Sequence, residues 1–400
     1  MAELSDILGR HVRDGALPGA VGLVVRGGRA EVAAVGSASV GGAPMTRESI
    51  FRIASITKPI TAASLMMLVE DGRIALDDPV DEWLPELAKP SVVRTPASEV
   101  DDVVPAARPI TVFDLLTSRA GYGFASDFTL PAVQRLFSVQ KDGREVQSFP
   151  PPDVWMAELA KVPLLYQPGE GWLYDTCSTV QGVLIARVSG QSLPEFMAER
   201  VFGPLGMTDS AFEVPVGKRD RFTSSYRTGP DGGLELADAP DGQWSTMPAF
   251  PLGNGGLAAT AGDWIAFAQM LLAGGVTPGG RRLLSAGSVQ LMTSDHTTAA
   301  QRDRRAVPGG PGLGVRRLGR HRDHRPVERP RALRLGRRHR HLGSHRPVHG
   351  HDRHPAHPGG CGQPRPARVD AGLLALRGQH LRPVSRSCSC GPRARSRLST

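Results

Sequence analysis

The feature that most constrains this fold is a break in composition near residue 300. Residues 301–400 hold 24 Arg, no Lys and 5 acidic residues, a balance of +19, whereas residues 1–300 balance at −10. The same last hundred residues contain no Phe, Tyr, Trp, Ile or Met. A segment so charged and so poor in large apolar side chains cannot bury a core. Any globular domain must therefore be built from residues 1–300, an acidic body of ordinary composition. The overall charge of +9 would otherwise suggest a nucleic-acid partner, but it belongs entirely to the tail.

Three readings of residues 301–400 compete. One is a basic nucleic-acid tail. A second is a metal-binding tract, since 10 of the 12 His and 3 of the 4 Cys lie there, including Cys388 and Cys390. The third is translation of a GC-rich gene in the wrong frame, which yields Arg, Pro, Gly, His and Ala. The genetic code permits the third. Shifted by one base, Arg334 to His341 can read Gly-Trp-Gly-Gly-Gly-Thr-Gly-Thr, and Gly350 to Pro358 can read Asp-Met-Thr-Ala-Ile-Leu-Leu-Thr-Gln, an apolar strand. The expectation is a frame error between about Thr297 and Pro311, with no chemical meaning in the tail's histidines and cysteines.

Within the body, Ile53-Ala-Ser-Ile-Thr-Lys-Pro-Ile60 stands out. The run Thr61–Glu70 is apolar and helix-compatible, and Gly72 is a stop signal. Residues three apart on a helix share a face, so Ser55 and Lys58 point the same way. A serine hydroxyl is a weak nucleophile at neutral pH, and an adjacent amine can take its proton. Alone, Ser-x-x-Lys equally describes a capped surface helix.

The surroundings add to it. Ala20–Arg26 and Ala30–Gly36 read as a hairpin around Gly27 and Gly28. Residues 90–108, rich in Pro, Ser and Asp, read as a surface insertion. Ile110–Thr117 reads as a short helix running into a glycine-flanked loop, Ser118–Gly123, that either displays Tyr122 to a ligand or is a plain turn. Tyr174 ends another loop, ahead of a helix from Ser178, where a phenol near a lysine can relay protons. Ser192-Leu-Pro-Glu195 is a capping box. Gly253-Asn-Gly-Gly-Leu257 is a turn without the Gly-Lys-Ser/Thr of a phosphate loop. No metal-ligand spacing occurs in the body. The lone body cysteine, Cys177, fits a reducing compartment. No stretch approaches the ~20 apolar residues of a membrane span. The N-terminus lacks a basic, apolar leader, so the expected location is the cytoplasm.

Taken in order, seven short words resemble the serine β-lactamase and penicillin-binding-protein superfamily, most closely its class C-like, family VIII carboxylesterases. They are Leu17-Pro-Gly19, Phe51-Arg-Ile-Ala-Ser-Ile-Thr-Lys-Pro59, Leu76-Asp-Asp-Pro79, Leu115-Leu-Thr117, Gly171-Trp-Leu-Tyr174, Pro204-Leu-Gly-Met207 and Gly255-Gly-Leu257. The resemblance implies an α/β (α+β) fold: an antiparallel sheet flanked by helices, with a mostly helical insertion at about 90–250 and the site between them. It implies Ser55 as acylated nucleophile, Lys58 as its base and Tyr174 as second proton carrier. Tyr122, Asp175, Gly255 and Gly256 are the expected substrate-binding residues. It implies no cofactor or metal, and a small-molecule ester as partner rather than nucleic acid or membrane. The family's Tyr-x-Asn here ends in Thr176, which favours esters over β-lactam amides. The third family motif is absent from the frame as written and emerges only in the shifted frame, around Leu335. A β-lactamase, a D,D-carboxypeptidase, an acyltransferase and an inactive binding homologue remain the rivals.

Overall fold

The first described element, helix α1 (Ala2–Arg13), lies on an antiparallel hairpin of β1 (Gly19–Arg26) and β2 (Arg29–Gly36), paired from Gly19↔Gly36 to Arg26↔Arg29. The computed structural model describes residues 2–27 and 29–303, all within one compact unit. Of the predicted 301–400 tail, residues 304–400, with the third motif near Leu335, lie outside these residues, and the expected frame break between about Thr297 and Pro311 falls across their end. The body reaches at least to its last described helix, where Gln301 is buried and donates to the carbonyls of Gly169 and Glu170 at 2.8 and 3.1 Å.

After β3 (Ile50–Arg52), a 3₁₀ turn at Ala54–Ile56 feeds α2 (Thr57–Glu70). Ile60, Thr61, Ala63, Ser64, Leu65, Met66, Met67 and Leu68 of α2 are all buried. A helix apolar on every side belongs in an interior, and α2 is the axis of the core. Its end is as read: Asp71 caps it and Gly72 takes a positive φ of 67°.

The insertion then runs through β4 (Ser91–Val93), β5 (Val103–Pro105), α3 (Val112–Leu116), α4 (Pro131–Phe137), α5 (Pro152–Leu159), α6 (Thr176–Ser189), α7 (Leu193–Met197), α8 (Gly203–Leu205), β6 (Ser225–Thr228) and β7 (Leu234–Asp238). It returns at β8 (Ala258–Thr260), which pairs antiparallel with β3. The chain thus leaves and re-enters beside the Ser55 turn. Helices α9 (Ala261–Leu272), α10 (Ala286–Thr293) and α11 (Ala299–Asp303) follow. Helix α6, buried along most of its length, packs directly on α2.

The fold is the expected antiparallel strands with flanking helices, in smaller pieces, and one local expectation changes. The sheet is four two-stranded antiparallel ribbons among the described residues, β1–β2, β3–β8, β4–β5 and β6–β7; the later strands that the resemblance implies fall outside them. The 90–108 stretch is not a plain surface loop. Its β4–β5 ribbon buries Val92 and Val93, and Val93 donates its N–H to Leu164 at 3.0 Å. Pro, Ser and Asp between the strands masked two apolar residues that pack inward.

Candidate active site

The site is assembled where the Ser55 turn, the start of α6 and the 253–257 loop meet. Thr57 and Thr61, one turn apart on α2, hold that loop: Leu257 N–H donates to Thr57 Oγ1 at 3.3 Å, and Thr61 Oγ1 donates to the Gly253 carbonyl at 2.7 Å. Gly253 is required by close approach. A Cβ there would sit 2.6 Å from the Ser178 carbonyl of α6 and 3.0 Å from Thr61. The loop is therefore wedged between α2 and α6, and its next residue, Asn254, faces Lys58.

Lys58 Nζ donates to Ser55 Oγ at 2.9 Å, to the Asn254 carbonyl at 2.7 Å and to Tyr174 Oη at 3.3 Å. Tyr174 Oη donates to Ser55 Oγ at 2.7 Å. Lys58 also forms an ion pair with Asp175 Oδ1 at 2.8 Å, the two side chains being 14% and 12% exposed. Asp175 Oδ2 accepts from Asn254 Nδ2 at 2.8 Å and from Gln140 Nε2 at 3.2 Å. The ammonium also lies 4.7 Å from the centre of the Tyr174 ring. Nucleophile, amine and phenol are thus within hydrogen-bond reach of one another, the geometry expected of an activated serine.

The backbone is strained at the same place. Among the described residues, three non-glycine positions have positive φ: Ala54 at 44°, Ser118 at 57° and Asp175 at 87°. Ala54 immediately precedes the nucleophile. Asp175, with ψ −66°, is the centre of a γ-turn closed by Thr176 N–H to the Tyr174 carbonyl at 3.3 Å. Such conformations cost roughly 1–3 kcal/mol each and persist where the surroundings over-determine them. Here they aim Ser55 and Tyr174 at each other. Tyr174 is further fixed by a two-way backbone pairing with Phe124 at 2.8 and 3.2 Å. Gly123 permits it: its φ is 140°, and a Cβ would lie 2.6 Å from the Tyr174 carbonyl.

The expected substrate contacts fare unevenly. Tyr122 is not displayed. It is 3% exposed within the main core, and burial pushes its phenol above the ordinary range. The glycines flanking it turn the chain inward rather than toward a ligand. Asp175 is at the site, paired with the Lys58 amine. Gly255 is half-buried beside Ala54. Gly256 is buried and structural: its N–H donates to the Leu252 carbonyl at 2.9 Å and its carbonyl accepts Trp244 Nε1 at 2.7 Å. Asn254 and Gln140, not anticipated, complete the site. The only signal for Asn254 was a carboxamide set in a glycine run. Burial pushes the Cys177 thiol up to about 12, which makes it inert. Among the described residues no cluster of three or more His, Cys, Asp and Glu gathers as a metal site, and no helix is long and apolar enough to cross a membrane.

A Mycobacterium tuberculosis protein is 39% identical over 270 residues, 68% of this chain and 65% of its own length, so the chain spans about two thirds of that relative. The esterase EstB of Burkholderia gladioli is 31% identical over 282 residues, 66% of this chain and 67% of that one. The solved structure of EstCE1, described as a hydrolase with promiscuous acyltransferase activity, superposes with a TM-score of 0.62 at 25% identity, covering 75% of this chain and 78% of that one. The Beta-lactamase family model matches residues 4–363. With Ser55, Lys58 and Tyr174 brought together on this mixed α/β framework, the chain belongs to the Beta-lactamase family.

Proposed function

We propose that this protein is a cytoplasmic serine carboxylesterase acting on short- to medium-chain esters through an acyl-enzyme on Ser55. The observation that carries the proposal is the mutual contact of Ser55 Oγ, Lys58 Nζ and Tyr174 Oη, all within 3.3 Å. In acylation the Ser55 O–H bond breaks as Oγ bonds the ester carbonyl carbon. The proton passes into the Lys58–Tyr174 pair and then to the departing alcohol. Water repeats the sequence on the acyl-enzyme, releasing the acid and restoring the Ser55 hydroxyl. The name of the Burkholderia relative supports an ester substrate. So does Thr176, which is wholly buried and replaces the carboxamide of the family's Tyr-x-Asn.

A second reading, acyl transfer to an acceptor other than water, is favoured by one observation: EstCE1 is described as having that activity beside hydrolysis. The test is turnover of p-nitrophenyl acetate and butyrate, with and without an added alcohol, next to nitrocefin. The expected result is ester hydrolysis that Ser55→Ala abolishes while circular dichroism is unchanged. Turnover retained by Ser55→Ala, or nitrocefin cleaved in preference to esters, would contradict it. Cell fractionation tests the cytoplasmic assignment.

A further inference from the structure

Lys58 is held by more than a lysine base needs. Its amine lies in a closed ring of polar contacts. Asp175 Oδ1 takes the ion pair at 2.8 Å; Asp175 Oδ2 accepts Asn254 Nδ2 at 2.8 Å; and the Asn254 carbonyl accepts Lys58 Nζ at 2.7 Å. Gln140 Nε2 braces the carboxylate from a third direction at 3.2 Å. Asp175 and Asn254 come from elements 79 positions apart. Each touches both the other and the lysine. Neither touches Ser55 in the contacts described.

We propose that Asp175 and Asn254 are positioning residues for Lys58, and that the Asp175 carboxylate governs the protonation of the amine that activates Ser55. The ring explains two oddities. Asp175 occupies a positive-φ conformation that a glycine would take without strain; only an aspartate there delivers a carboxylate to the amine. And the carboxamide of Asn254, buried in a glycine run, has a partner there: its Nδ2 holds Asp175 Oδ2, while its backbone carbonyl accepts Lys58 Nζ. An opposite charge at hydrogen-bond distance favours the charged form of an amine. Of the groups facing Lys58, Asp175 and Tyr174 are titratable, and Ser55 and Asn254 are neutral. This inference rests on the acyl-enzyme reading only for its kinetic consequence; the geometry of the amine stands apart from it.

One substitution separates charge from shape. In Asp175→Asn the retained oxygen can still accept Lys58, while the new NH₂ faces the Asn254 and Gln140 amides. Asn254 Oδ1 and Gln140 Oε1 are both buried and without a hydrogen-bond partner among the described residues. Rotating the two amides by half a turn offers both oxygens to the new donor. The ring then closes again without its charge. Asp175→Ala removes both charge and ring.

The experiment uses the full chain with ¹³C-labelled lysine. There are five lysines in the sequence, and Lys58→Arg assigns the Lys58 Cε resonance. The expected result is that the Lys58 titration midpoint moves to lower pH in Asp175→Asn and in Asp175→Ala. The acid limb of the kcat profile for p-nitrophenyl acetate moves the same way, with KM changed less than about twofold. Asp175→Ala also lowers kcat by about 10²-fold, the cost of a misplaced catalytic group. An identical Lys58 titration in the wild type and in both variants overturns the inference, whatever the ester assay gives. A shifted titration in a chain that turns over no ester upholds it and defeats the esterase reading instead.

Discussion

At the scale of single residues, the site brings together a serine, a lysine and a tyrosine that are all half-buried. The Ser55–Lys58 pair was legible because three-residue spacing on a helix is a local rule, and the 2.9 Å contact follows from it. Tyr174 could be named only through the ordered family words, since nothing near it in the chain points to Ser55, 119 positions away. Asn254 and Gln140 were not legible. Their roles come from the wedging of one loop between two helices, which no local pattern encodes. Tyr122 is not displayed because a glycine-flanked aromatic can face either way, and its own burial in the main core decides it. Tyr174→Phe keeps the ring and removes only the hydroxyl that meets Ser55. It should lower kcat by roughly 10²–10⁴-fold, the usual span for a lost proton carrier, with KM little changed. Steady-state kinetics on a p-nitrophenyl ester checks this; an unchanged kcat would remove Tyr174 from the proton path.

At the scale of elements, α2 carries both the core and Lys58, the proposed base. Leu65 is fully buried on it, so Leu65→Ala should cost about 2–5 kcal/mol in urea unfolding. A loss under 1 kcal/mol would mean that α2 is not the axis of the core. A second prediction concerns the turn after α8. Asp209 accepts two hydrogen bonds from Arg221, at 2.7 and 3.0 Å, and forms an ion pair with Lys218 at 2.9 Å. The Arg221 guanidinium first, then Lys218, holds its carboxyl down to about 2. A carboxylate lowered by folding stabilises fully above its unfolded value, and that stability is lost as pH falls through the folded value. Acid unfolding should therefore steepen between about pH 4 and pH 2, and Asp209→Asn should flatten that limb by up to about 2 kcal/mol. A pH series of thermal melts gives the answer; identical acid limbs would contradict it. Ser192 with Glu195 forms the box its spacing suggests, because capping is local; Thr111 with Asp114 forms a second box that the short-helix reading of Ile110–Thr117 does not include. The β4–β5 ribbon was not, because its strands are three residues long and owe their order to Leu164.

At the scale of the whole molecule, the charge break near residue 300 separates a body with one site from a tail of another composition. The family match continues to residue 363, whereas the Mycobacterium and Burkholderia relatives align over 270 and 282 residues. Sequencing the coding DNA from codon 290 to the stop should show one added or lost base, and the restored frame should carry Gly-Trp-Gly and an apolar strand. It should also lengthen the alignment to both relatives. An intact mass that matches the Arg- and His-rich tail, from DNA read without error, would contradict it. In that case the one oxyanion-hole donor that the resemblance assigns to the third motif would be missing. Its loss typically lowers kcat by about 10²–10³-fold.

On the proposed reading, Ser55 becomes acylated with the help of Lys58 and Tyr174. The most direct test is peptide mass spectrometry of the full chain quenched in acid after brief reaction with p-nitrophenyl acetate. One acetyl group should be found on the peptide containing Ser55, sharply reduced in Lys58→Ala and absent in Ser55→Ala. An unmodified Ser55 peptide in a chain that still releases p-nitrophenol, or an acetyl group on any other residue at the same yield, would contradict the account.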